Sequence, residues 1–165
     1  MWMLRMRISR SARVAVLALA ACSGDDDSSP DVSPKPDAGE EEAPPCGPTY
    51  PDVSEGLTAR AGDLTVKLLS ADLKPARQFV KNDWVLQVLD GADAPVEDFE
   101  VADAVSYMAV HNHYGTPDPV VEKLGEPGQF KLDDIRFRMR GPWDVIFQLT
   151  HAGKSTMTTF KICVE

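Results

Sequence analysis

The chain is poor in several things, and each scarcity closes off a class of function. Of its 165 residues only three are cysteine and three histidine. No CxxC pair or dense cysteine cluster occurs, which excludes a thioredoxin-like redox site and a structural zinc knuckle. A glycine-flanked nucleophilic serine and the helical His-Glu motif of zinc hydrolases are both missing, so the expectation is a protein that is not an enzyme. Basic residues are in deficit, with 17 Lys and Arg against 26 Asp and Glu and a net charge of −9. Such a chain lacks the positive surface that releases counterions from phosphate, and nucleic acid is excluded as a partner. No apolar run is long enough to span a bilayer, no internal repeat is evident, and no stretch carries a convincing amphipathic helical period.

What is present begins with an address. Arg5, Arg7, Arg10 and Arg13 form a basic region, and Val14 to Ala21 a short apolar run, which together read as a signal peptide over residues 1–21. The run ends in Leu19-Ala20-Ala21-Cys22-Ser23, which resembles the bacterial lipoprotein cleavage box. That resemblance implies a lipid anchor on Cys22 and a place in the cell envelope. Ser23, where an aspartate would retain the protein at the inner membrane, points to the outer membrane, facing the periplasm. A plain signal peptide with an incidental cysteine is the competing reading. Ser23 to Pro45 sets eight acids against Lys35, a charge of −7, and has almost no large apolar side chain. Ordering it would cost chain entropy with nothing to offset the loss, so residues 22–54 are expected to be the lipidated cysteine and an acidic disordered tether.

With Cys22 assigned to lipid, Cys46 and Cys163 remain, one near each end of the folded part, in a compartment where disulfides persist. A bridge between them would stabilise the domain by about 4 to 5 kcal/mol in the chain-entropy model. A cysteine ligand to copper is the alternative use.

Residues 55–165 are enough for one domain with one core. Leu64–Leu69 and Asp83–Leu89 alternate apolar and polar positions, and Asp90-Gly91 is turn chemistry leading to a third strand from Phe99 toward Met108. Val120-Val121, Gln129–Leu132 and Ile135–Met139 read as further strands, and Trp143–Leu149 with Ser155–Val164 as a hairpin joined by Ala152-Gly153-Lys154. The expected fold is all-β, an immunoglobulin-like antiparallel β-sandwich of seven or eight strands, with a barrel as runner-up.

Chemistry concentrates in Ser106-Tyr-Met-Ala-Val-His-Asn-His-Tyr-Gly115. His111 and His113 would share a face of an extended strand, and Met108, an odd number of residues away, needs a bend to join them. Two imidazoles beside a thioether suit copper better than magnesium or calcium. The other reading is a pair of surface histidines that shape the loop.

Several stretches together resemble a known family. They are Asn82-Asp83-Trp84, Val88-Leu89-Asp90, Ala94-Pro95-Val96, Met108-Ala-Val-His111-Asn-His113, Phe130, Phe137-Arg-Met139-Arg-Gly141-Pro-Trp143 and Phe160-Lys-Ile-Cys163. From Leu64 to Val164 the chain resembles the YtkA-like domain, which is similar in turn to the periplasmic domains of FixH-like proteins. The resemblance implies a small envelope β-sandwich, with copper handling as the function of some relatives. It also implies Met139 as a second thioether, giving Met108, His111, His113 and Met139 as the ligand set. In the family a proline follows the methionine and a glycine directly follows the second histidine; here Ala109 and Tyr114 stand in those places. Met139 reads equally as core filler, since it shares an apolar pattern with Ile135 and Phe137. Two functions follow: a lipid-anchored copper carrier or buffer, and a structural or interaction module that meets another envelope protein.

Overall fold

The structure, a computed structural model, describes residues 45–165. The signal peptide, the lipidation of Cys22 and the tether as far as residue 44 lie outside the described residues. Nine strands and no helix occur among the described residues: β1 (Thr58–Ala61), β2 (Leu64–Ala71), β3 (Asn82–Leu89), β4 (Phe99–Met108), β5 (His113–Tyr114), β6 (Val120–Lys123), β7 (Gln129–Ile135), β8 (Gly141–His151) and β9 (Lys154–Val164). The period-two pattern explains most of them. In β3 and β9 alternate side chains are buried and their neighbours face outward, as a half-buried strand requires.

The strands form two antiparallel sheets, ordered β1-β2-β3-β7-β6 and β5-β4-β8-β9. Setting β1 aside, this is the A-B-E-D and C′-C-F-G arrangement of an immunoglobulin-like sandwich. Nine strands replace the expected seven or eight because two were too weak to read. β1 points only Ala59 and Ala61 inward, and β5 is two residues long. Ile135–Met139 is a correction in the other direction. β7 stops at Ile135, which pairs with Asn82, the first residue of β3, and residues 136–140 form a loop. Beyond Ile135 there is no neighbouring strand to continue the ladder, although Phe137 still turns into the core.

Trp84, Trp143, Phe130, Phe137, Phe147 and Phe160 fill the space between the sheets. Trp84 meets Phe160 edge-on at 5.9 Å, Phe130 meets Phe147 at 5.5 Å and Phe137 meets Trp143 at 5.3 Å, the tilted geometries that aromatic quadrupoles favour. Both tryptophans are fully buried, on β3 and β8. Cys46 and Cys163 are joined, with 5.6 Å between their Cα atoms. The bridge brings residues expected in the tether onto the body: the Cys163 N–H donates to the Pro51 carbonyl at 2.8 Å, Asp52 makes a bridge to Cys163, and Val53 is buried.

Successive strands run in opposite directions except β5 and β6, which share one, and the connections collect at two ends. One end holds the turns β1–β2, β3–β4 and β8–β9. The other holds the β2–β3 loop (residues 72–81), the β4–β5 turn (109–112) and the β7–β8 loop (136–140). The chemistry picked out by the sequence lies at the second end.

Candidate metal centre

The bend that Met108 needs is present. β4 and β5 are a hairpin whose turn is Ala109, Val110, His111 and Asn112, and Met108 is the ladder partner of His113. Partners across an antiparallel pair direct their side chains to the same face, with Cβ atoms about 4.5 to 5.5 Å apart. The next pair outward, Tyr107 and Tyr114, lies on the opposite face with ring centroids 4.8 Å apart. Asn112 suits the turn because asparagine tolerates the left-handed region that its φ of 52° demands. Its Oδ1 accepts a hydrogen bond from the Tyr107 hydroxyl at 3.1 Å.

His111 is therefore a turn residue rather than a strand neighbour of His113, but the hairpin still sets the two rings side by side. Their centroids are 6.1 Å apart and their planes differ by 20°. His113 is exposed, whereas His111 is half-buried and its Nε2 is shut off from solvent. Met108 is fully buried and belongs to the core. The structure thus brings together Met108, His113 and His111.

Met139 is held differently. It sits in the β7–β8 loop, partly buried against the core, and its carbonyl accepts the Trp143 Nε1–H at 2.9 Å. Its packing is that of core filler. Three or more His, Cys, Asp or Glu side chains do not converge anywhere among the described residues. That count leaves thioethers aside, so the donor set to weigh is two imidazoles and the Met108 sulfur, which fits a soft monovalent ion better than a hard divalent one.

The hairpin is locked to the β7–β8 loop. The Ser106 hydroxyl, buried, donates to the Arg136 carbonyl at 2.7 Å, and the Gly115 N–H donates to the Ser106 carbonyl at 2.8 Å. A Cβ on Gly115 would lie 1.9 Å from the Arg136 carbonyl oxygen and 2.0 Å from Ser106 Oγ, so only glycine permits this approach. The Arg138 guanidinium donates to the Thr116 hydroxyl across the same seam.

Sequence reasoning missed two residues at this end. Asn82 is fully buried; its Oδ1 accepts the Arg77 N–H, and its amide nitrogen donates to the carbonyls of Arg77, Val80 and Ile135. It fixes the β2–β3 loop to the end of β7. Phe79, in that loop, is 70% exposed with φ of 59°, while its N–H donates to the Phe137 carbonyl at 2.8 Å. The signal for Asn82 was a polar residue opening an apolar strand; Phe79 had none.

Elsewhere, charge is neutralised locally. Lys81 and Lys131 both bond Asp83 and Asp133 on the outer face of the five-stranded sheet. Hydrogen bonds from Lys131 and then Lys81 push the Asp133 carboxyl down to about 2. Comparison with protein-family models, with curated proteins and with solved structures finds no match to this chain.

Proposed function

We propose that this is a lipid-anchored envelope protein whose β4–β5 hairpin binds cuprous ion for delivery or buffering. The observation that carries the reading is the Met108–His113 ladder pair with the His111 ring set parallel beside it. His111, His113 and Met108 would hold the ion, and the ion would supply only its own affinity for soft donors. A buried thioether with one exposed and one half-buried imidazole leaves the ion reachable from outside, as ligand exchange with a partner requires. Met139 enters as a fourth donor only through the family resemblance. The YtkA-like assignment, the absence of catalysis, the signal peptide, the acyl anchor on Cys22 and the outer-membrane placement belong to this same proposal and rest on the sequence motifs.

The test is a competition titration of residues 23–165, made without lipid, with cuprous, cupric and zinc ions against a chelator. Copper retention lost in His111→Ala and His113→Ala supports the carrier. Met108→Leu keeps the core volume while removing the sulfur, so it separates ligation from packing. If the parent chain takes no copper from the chelator, the carrier reading fails. Mass spectrometry of the protein from membranes, with Cys22→Ser as comparison, tests the anchor.

A further inference from the structure

Beside the hairpin lies a groove of about 430 Å³, lined by Phe79, Thr116, Pro117, Arg136, Phe137 and Arg138. Its lining differs from the rest of the surface in two independent ways. The first is an exposed aromatic held under strain. Phe79 presents 70% of its surface to solvent, and Val80 beside it 42%. A bulky side chain at a φ of 59° is an uncommon conformer, which persists only where the surroundings impose it. Here the Asn82 amide and the Phe137 carbonyl impose it. The fold therefore spends stability to hold an aromatic ring in water.

The second difference is charge. Lys81 and Lys131 are tied to Asp83 and Asp133, and Arg136 is paired with Asp134. Arg138, on the groove wall, is exposed and makes no ion pair among the described residues. In a chain of net charge −9 the groove thus presents an uncompensated guanidinium beside an exposed aromatic ring. Exposed aromatics and arginines are the residue types that dominate protein interfaces, and a guanidinium fork matches a carboxylate in geometry.

We propose that this groove receives an extended acidic segment of a partner protein. An apolar side chain of the segment packs on Phe79 and Pro117, and a flanking carboxylate pairs with Arg138. An anionic membrane surface fits less well, because an otherwise acidic body would be repelled from a broad sheet of negative charge, whereas a narrow segment meets the Arg138 wall of the groove. Ser106, Gly115 and Thr116 couple the groove to the hairpin, so a partner docked there would stand next to the histidine pair. The proposal does not depend on metal binding.

The experiment pans a phage-displayed random peptide pool on the full chain in detergent, then measures the enriched peptides by fluorescence anisotropy. The expected result is enrichment of peptides that combine an aromatic or aliphatic residue with acidic neighbours. Their affinity should fall with added salt and drop at least about tenfold in the Arg138→Glu variant. Phe79→Gly, which relieves the backbone, should keep the fold by circular dichroism and still lose the peptides. No enrichment, enrichment of basic or uncharged peptides, or equal binding by both variants overturns the proposal. So does arginine-dependent binding to phosphatidylglycerol vesicles in preference to peptides, or arginine-dependent self-association in sedimentation, since these assign the groove to lipid or to a second copy.

Discussion

The two ends of the sandwich are built by different means. At the β3–β4 turn, Asp90 accepts the N–H groups of Ala92 and Ala94 on one carboxylate oxygen and donates its own N–H to the Ala94 carbonyl. At the β8–β9 turn, Ala152 and Gly153 take φ of 50° and 73° and close the hairpin alone. The bonds that close these two turns are local, and the β3–β4 connection is tied to the body as it enters β4, where Lys123 bonds the Glu97 carbonyl and His151 the Asp98 carbonyl. The opposite end is held by contacts distant in sequence: Asn82 to Ile135, Ser106 to Arg136, Arg138 to Thr116. Long-range closure brings three loops to one place, and His111, His113, Met108 and the arginine groove all sit there.

The sharpest way to break that contrast is Asn82→Ala. It leaves three carbonyls and one N–H at the loop end without their partner, and the expected loss is about 3 kcal/mol or more in urea unfolding. A loss under about 1 kcal/mol would mean that this end is not knotted through that amide. Gly115→Ala should cost roughly 2 to 3 kcal/mol, because its Cβ meets a backbone carbonyl that cannot rotate away. It should also disturb the His111 and His113 resonances, while the β8–β9 turn stays as it was. Phe79→Gly should leave stability unchanged or raise it by up to about 1 kcal/mol, since relief of the left-handed conformer outweighs the little packing lost. A clear destabilisation would show that the ring supports the fold rather than a partner. The smallest effect falls on the other end. The N–H groups of Ala94 and then Ala92 hold the Asp90 carboxyl below its ordinary value. Its contribution is full above the ordinary carboxylate range and is lost as pH falls through the depressed value. Protection of the amides in the β3–β4 turn, relative to their intrinsic exchange rate, should fall in acid, while that around Asn82, whose bonds carry no titrating group, does not.

The same contrast explains what could be read in advance. β2, β3, β4, β8 and β9 were legible because burial on one face imposes period two over many residues. The Asp90-Gly91 and Ala152-Gly153 turns were legible because their chemistry is local. Ile135–Met139 misled because alternating burial needs only one face against a core, whereas a strand also needs a partner edge, and β3 supplies none past Asn82. His111, His113 and Met108 could be named from spacing and residue type, but their arrangement depended on a hairpin whose second strand is two residues long. Phe79 was invisible, since a backbone conformation forced by Asn82 and Phe137 leaves no mark on the residue that suffers it.

The Cys46–Cys163 bridge also determines how the domain would bear a mechanical load. It closes a sequence separation of 117 residues and lies where the chain enters the body and beside where it leaves. A pull on the chain ahead of Cys46, resisted at Glu165, passes through the sulfur atoms directly into the last residues of β9. The two sheets are then spectators to the tension, and the sandwich keeps its shape under force until the bridge is reduced.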